Sequence, residues 1–383
     1  MSSWRKVTLE NVAVIERSTI QPEAISQGTA YVGLEHIESG GAILGAKKVE
    51  EGELASSKFK FTECHLLYGK LRPYLAKIAC PDFSGICSTD ILPILPGPEL
   101  ERRFLCYFLR QPSMVEHANS RAVGANLPRL SPSALAEFEI PLPPLAEQRR
   151  IAEVLDRAEA LRAKRRATLS QFDSLTRSLF LHIFGDPATN PKGWPRKPIC
   201  EIGKVITGNT PPRANPGHYG THIEWIKSDN INTPHYYLTK ASEGLSESGK
   251  AVARTVPAGS ILVTCIAGSP ECIGNAAMTD REVAFNQQIN ALVPVSGDTR
   301  FLYAQILVGK RLIQEASTSG MKGMVSKGRF EQIMLILPPI ELQREFARRV
   351  TAAEKLKAAQ RASLAELDAL FASLQHRAFR GEL

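Results

Sequence analysis

The side chains here that could do chemistry are of the kinds that hold nucleic acid. Residues Lys58 to Lys77 read KFKFTECHLLYGKLRPYLAK, with Lys58, Lys60, Lys70, Arg72 and Lys77 set against one acid, Glu63. Phe59, Phe61, Tyr68 and Tyr74 interleave with them. Such cations neutralise phosphates, and a strand or loop edge presents side chains to bases. The same pattern also describes an amphipathic hairpin with lysines to water and aromatics to the core. Asn119 to Arg129 (NSRAVGANLPR) offers Arg121, Asn126 and Arg129. Ser319 to Arg329 (SGMKGMVSKGR) offers Lys322, Lys327 and Arg329, among glycines that allow close backbone approach. Gly208 to His222 (GNTPPRANPGHYGTH) is a long turn-rich loop from which Asn209, Arg213 and His218 could reach a groove. Asn and Arg make bidentate bonds to base edges, but residue type alone does not separate base readers from phosphate clamps.

No complete bond-making set accompanies them. Gly244 to Lys250 (GLSESGK) nearly matches a phosphate-binding loop, but Ala251 stands where a Mg²⁺-binding hydroxyl belongs, and no apolar strand precedes it. His218 and His222 are four apart in a Gly/Pro loop, where helical geometry does not apply. There is no GxSxG, no HExxH and no [ND]PP[YFW] loop for amino-group methylation, and Pro81-Asp82 lacks the acidic-x-Lys of a nuclease site. The seven cysteines include no CxxC pair; Cys80/Cys87 and Cys265/Cys272 share a spacing of seven that matches no zinc pattern. The chain is therefore expected not to be an enzyme and to hold no metal. Arg5, Lys6, Glu10, Glu16 and Arg17 leave no apolar core for a signal peptide, and no run of about 18 apolar residues suggests a membrane span. The expectation is a cytoplasmic protein with reduced thiols.

The elements that must position these residues come in duplicate. With an offset of 195, Ile140 to Phe184 aligns without gaps to Leu335 to Phe379. Matches include Pro143/Pro338, Pro144/Pro339, Gln148/Gln343, Glu159/Glu354, Leu169/Leu364, Asp173/Asp368 and Phe184/Phe379. The preceding segments echo each other more faintly: Ser88-Thr89-Asp90-Ile91 falls against Asn286-Gln287-Gln288-Ile289, and Arg103-Phe104-Leu105 against Arg300-Phe301-Leu302. The layout is globule, helix, globule, helix, over 1–140, 141–188, 189–335 and 336–383.

Each repeated segment opens after Pro-Pro, which is tolerated at a helix start and not inside one. A 3,4 spacing runs through both. The first seam is Ile151, Leu155, Ala158, Arg162, Arg165, Leu169, Phe172, Thr176, Leu179, Ile183. The second is Phe346, Val350, Ala353, Lys357, Gln360, Leu364, Leu367, Phe371, Leu374, Ala378. Each is apolar at both ends and polar at its midpoint. A narrow stripe on a helix this long needs a partner, and the chain supplies one of matching length. Antiparallel pairing is expected, because it joins the two polar midpoints and separates the globules. About 39 residues at 1.5 Å span roughly 58 Å, or about 17 base pairs of duplex. The pair would act as a ruler. The run RAKRR (Arg162 to Arg166) reads as a solvated basic face or an anion-binding site.

The globules read as mixed, with short strands at Tyr31 to Leu34, Leu66 to Tyr68, Ile91 to Leu95, Ile223 to Ile226, Ser260 to Ile266 and Ile289 to Val293. Short helices are expected at Leu100 to Arg110 and Arg300 to Ser317. The fold class is α+β: two mixed α/β globules, each followed by a long helix, with an internal pseudo-two-fold repeat.

The duplicated layout, with LLYGKLRPYLAK, GICSTDILPI and IPLPPLAEQRRIAEVL in the first half and GNTPP, IEWIKSDNI, AFNQQINAL and LPPIELQREF in the second, resembles the DNA-specificity subunit of type I restriction-modification systems. The second helix start departs from the first, with Glu341-Leu342-Gln343 in place of Ala146-Glu147-Gln148. The resemblance implies that the globules are target-recognition domains, each reading half of a bipartite site on double-stranded DNA. It implies that the helices are a spacer and dock two methyltransferase subunits, through which restriction subunits join. S-adenosylmethionine, ATP and Mg²⁺ would then belong to partner chains, with no cofactor on this one. Because the globules differ more than the helices, an asymmetric target is expected. A non-catalytic coiled-coil scaffold with protein-binding globules, and the specificity subunit of a smaller or orphan system, are the alternatives.

The formal charge of +8 divides unevenly. Residues 1–140 hold 15 basic and 16 acidic groups, while 190–339 hold 16 and 11. The first globule is thus not basic overall and must bind through a local cluster such as Lys58 to Lys77.

Overall fold

The computed structural model describes residues 4–50, 52–233, 236–318 and 323–383. Two helices of 40 residues, Leu145–Phe184 and Ile340–Phe379, each begin directly after a Pro-Pro pair. Glu147 and Glu341 lie in their first turns, where the helix dipole favours a carboxylate.

The chain forms two compact units that share both helices. One runs as far as Arg166 and takes in Ala362–Leu383; the other is Ala167–Arg361. Each unit therefore holds one globule, the first half of the helix that follows it, and the last half of the other helix. Within each unit the two half-helices run antiparallel: Arg150 reaches Leu383 and Arg162 reaches Asp368 in the first, and Phe346 meets Phe180 and Lys357 meets Asp173 in the second.

In the first unit, Ala13–Ile15, Ile91–Pro96, Leu66–Gly69 and Ile78–Ala79 form an antiparallel sheet in that order. A second sheet orders Thr19–Ile20, Lys58–Phe61, Gly85–Cys87, Ala30–Val32 and Lys47–Lys48, with Ala30–Val32 parallel to Gly85–Cys87. Arg5–Thr8 pairs with Glu139–Leu142 and brings the chain to the start of the long helix. The second unit repeats the plan. Gly203–Thr207, Ile289–Pro294, Ile261–Thr264 and Ala276–Met278 form the antiparallel sheet. Tyr219–Ile226 runs parallel to Val283–Phe285, and Arg196–Pro198 pairs with Met334–Ile336. The short helices are Arg102–Leu109 and Thr299–Val308, the latter followed by Lys310–Glu315.

Both cores take side chains from both helices. Ile151, Leu155 and Ala378 are buried with Phe104, Leu135 and Ile140 in the first. Phe346, Val350, Phe180 and Phe184 are buried with Phe301, Phe330 and Ile336 in the second. Phe379 meets Phe104 with ring centroids 5.2 Å apart, and its repeat partner Phe184 meets Phe301 at 4.8 Å. The seam positions Leu169, Phe172, Leu179, Leu364, Leu367, Phe371 and Leu374 are only half-buried, while Phe180 and Phe184, off the counted seam, are fully buried. At that end the first helix faces both its partner helix and a globule, so its apolar face is wider than a coiled-coil stripe.

Polar anchors repeat as well. The Gln148 amide accepts from Glu101 N at 2.8 Å and donates to Glu99 O and Pro143 O. Gln343 accepts from Asp298 N at 2.9 Å and donates to Pro338 O at 2.7 Å. Each glutamine pins a long helix to the cap of a short one. Arg103 pairs with Asp156 at 2.6 Å, and Arg300 with Glu354 at 2.7 Å.

The RAKRR run is not a uniformly solvated face. Arg162 turns inward to pair with Asp368 and Glu159, and its guanidinium lies 4.3 Å from the Phe371 ring centroid. Arg166 pairs with the same two acids. Antiparallel pairing adds Asp368 from the other helix to the local Glu159.

Candidate nucleic-acid interface

The first unit gathers several of the expected residues onto one pair of loops. Leu66–Gly69 is an inner strand of the four-stranded antiparallel sheet, and the chain after it runs alongside the segment before the Pro132–Ala136 helix. Leu130 N donates to Lys70 O at 2.9 Å and Arg72 N to Pro128 O at 2.7 Å. Val123 and Arg129 exchange backbone bonds of 3.0 and 2.9 Å, closing a tight loop with Gly124 to Pro128 at its tip. Lys70, Arg72, Asn126 and Arg129 thus come together, with Arg129 braced on Asp90 at 3.1 Å. Arg121, at the foot of the loop, reaches Glu137 at 3.5 Å and lies 6.0 Å from the Phe138 ring.

The rest of the basic-aromatic stretch is divided. Lys58 is buried: its amine donates to Ser56 O and Oγ, 5.9 Å from the Tyr31 ring, and burial holds its pKa below the usual lysine value. It is placed for packing, not for phosphate. Lys77 donates to Leu34 O at 2.6 Å, while Lys60 is exposed. The stretch is therefore neither a single basic edge nor a simple hairpin with all its lysines in water.

In the second unit, Arg213 lies 4.4 Å from the Tyr219 ring and 5.2 Å from that of Trp225. It reaches Glu243 at 3.0 Å, and Lys227 holds the other oxygen of that carboxylate. The Lys227 hydrogen bond, then that of Arg213, pulls the Glu243 carboxyl below its usual range. Asn209 does not present a free amide. Its side chain donates to Val252 O at 2.9 Å and accepts from Arg254 N at 2.7 Å, while its backbone carbonyl takes the Trp225 indole N–H. Asn209 shapes the loop that carries Arg213. Lys327 pairs with Glu331 at 3.5 Å and Arg329 donates to Ala316 O at 3.3 Å, both on an exposed short helix. Lys322 lies outside the described residues.

Residue type did not single out Lys227, Trp225, Val123 or Leu127. Tyr74, Val123 and Leu127 are 50%, 80% and 45% exposed and lie together on neighbouring loops among cations. The only sequence signal is their place within turn-rich, basic segments.

The loop frame is duplicated even though its side chains are not. Leu130 N→Lys70 O is matched by Val325 N→Cys265 O at 2.8 Å, and Val123 N→Arg129 O by Thr318 N→Met324 O at 3.0 Å. Lys70 N→Asp90 O is matched by Cys265 N→Gln288 O at 2.8 Å. Ser131 and Ser326 cap the equivalent short helices that follow. One backbone scaffold thus presents two different sets of side chains. Among the described residues no group of His, Cys, Asp and Glu is placed to hold a metal, and no helix is long and apolar enough to cross a membrane.

Comparison with known proteins gives the same duplication. The chain is 27% identical over 188 residues to the EcoDI specificity subunit of Escherichia coli, covering 48% of this chain and 42% of that one. It is 30% identical over 172 residues to the HindI specificity subunit of Haemophilus influenzae, covering 42% and 35%. With the EcoKI specificity subunit of Escherichia coli K12 it shares 25% over 313 residues, covering 73% and 65%. The matches thus span from about a third to two thirds of these relatives. In fold, the chain is similar over its full length, at TM-score 0.66 and 23% identity, to a chain solved in work on the assembly of a type I R-M system, 99% of which is covered. It is also similar at TM-score 0.56 and 16% identity to a type I S subunit from M. genitalium, with 98% and 96% covered. The model of the type I restriction modification DNA specificity domain matches twice, over residues 1–171 and 191–368. Each match joins a globule to most of the helix after it, and with nearly the whole length accounted for in this way the chain belongs to the type I restriction-modification DNA specificity family.

Proposed function

We propose that this chain is the DNA-reading subunit of a type I restriction-modification complex. Each globule reads one half of a bipartite duplex site, and methyltransferase subunits dock on the paired helices. Catalysis, with S-adenosylmethionine, ATP and Mg²⁺, resides on partner chains.

The observation that carries this reading is one loop frame, repeated, with different side chains: Lys70 and Arg72 in the first unit, Cys265 and Ala267 in the second. Two unlike heads on like supports suit an asymmetric target. The matching exposed leucines suit two copies of one partner. Leu161 and Leu370 belong to the first unit; Leu356 and Leu175, 195 residues away in each case, belong to the second. The helices set the spacing, so adding a heptad to both should lengthen the unread spacer and leave each half-site unchanged.

Mapping methylated adenines in a strain that carries the system tests the proposal. Two unlike half-sites separated by a fixed spacer are expected. A palindromic motif, or no motif, would count against it.

A further inference from the structure

We propose that the loop Val123–Arg129, together with the turn at Arg72, is the base-reading element of the first globule. It would contact a thymine methyl through Val123 and Leu127 and a guanine edge through Arg72. This inference rests on the DNA-reading function above and assigns residues to it.

Three independent observations converge there. The first is exposure. Val123 is 80% and Leu127 45% exposed on a loop held shut by two backbone bonds, so these side chains are displayed rather than loosely packed. Displaying apolar groups in water is costly unless a partner covers them. The second is charge. The backbones of Lys70 and Arg72 are bonded to this loop, and Arg129 closes it while paired with Asp90, in a globule whose net charge with these cations counted is −1; a local cationic cluster there suits a polyanion rather than an apolar protein surface.

The third is backbone conformation. Arg72 and Ala76 sit at φ +52° and +47°, in the left-handed region that side chains bearing a Cβ disfavour. They flank the single turn Pro73–Leu75, and Arg72 N is tied to Pro128 O at 2.7 Å. A left-handed arginine on a braced turn fixes where its exposed side chain leaves the backbone beside the loop. Arginine is suited to the O6/N7 edge of guanine, and an aliphatic side chain to the thymine methyl. In the second globule Ala267 stands in place of Arg72 and Thr318 in place of Val123, so the same frame must read a different half-site.

Full-length chain, combined with the methyltransferase subunit of its own system, would be used to select binding sites from a randomised duplex pool. Wild type would be compared with Arg72→Gln and with Val123→Ser/Leu127→Ser. Each variant is expected to lose roughly tenfold or more of its discrimination at one or two positions of one half-site, with the other half-site unchanged. Unaltered preferences at every position would overturn the inference, as would a uniform loss of affinity with no change of preference. If wild type itself selects no bipartite sequence, the DNA-reading function fails instead, and the two failures are distinguishable.

Discussion

Arg162 Nε lies 2.6 Å from Asp368 Oδ1, and the same contact recurs with the helices exchanged, where Lys357 holds Asp173. Residues 162 and 357 are 195 apart, as are 173 and 368. The polar midpoint of each seam is therefore complementary to the other helix and not to itself. A parallel pair would set these cations against each other. Arg162→Ala should destabilise the first unit by about 1–2 kcal/mol, because it loses two carboxylates and the Phe371 ring. Asp368→Asn should cost less, since the 44%-exposed Asp368 side chain is already largely hydrated. Urea unfolding checks both; equal losses would mean that the ring contact contributes nothing.

Gln148 and Gln343 are buried, and each satisfies backbone groups at the junction of a globule and a long helix. Replacing Gln148 by Leu leaves Glu101 N and the Pro143 carbonyl without partners. A loss of roughly 2–4 kcal/mol is expected from the first unit alone. Gln343→Leu should act on the second. Hydrogen exchange resolved by segment would show which unit opens. Exchange raised equally in both units would contradict local anchoring.

Glu224 accepts from Arg281 Nε at 2.8 Å, Arg281 Nη2 at 2.9 Å and Ala241 N at 2.7 Å. The Arg281 bonds hold its carboxyl below the usual value. A pKa depressed by folding gives stability that is complete above the unfolded value of about 4.3 and is lost as pH falls through the folded one. The second unit should therefore melt at a steady temperature above about pH 5 and progressively lower below about pH 4. Glu224→Gln should lower the neutral-pH melting temperature and flatten the acid slope. An unchanged slope would assign the acid sensitivity to other carboxylates.

Leu161 and Leu356 are 55% and 57% exposed at repeat-equivalent positions. If each helps dock one methyltransferase subunit, Leu161→Arg should leave one of two bound, and the double substitution none. Native mass spectrometry of the purified complex reads this directly. Two subunits retained by the double variant would place the docking surface elsewhere.

Much of the architecture is local information written twice. Pro143-Pro144 and Pro338-Pro339 start the helices, the 195-residue offset marks the repeat, and each stripe with its polar centre calls for an antiparallel partner. Proline geometry and helical periodicity act over a few residues, so they can be read along the chain. The tertiary structure decided what depends on distant neighbours. It buried Lys58 against Tyr31, drew Arg162 out of a basic run onto Asp368, and turned Phe180 and Phe184 into a globule. It used up the amide of Asn209 in shaping its own loop, and it left Val123 and Leu127 uncovered. Whether a cation is free or paired, or an apolar group covered or displayed, depends on segments far away in sequence, and no count of spacing reaches them.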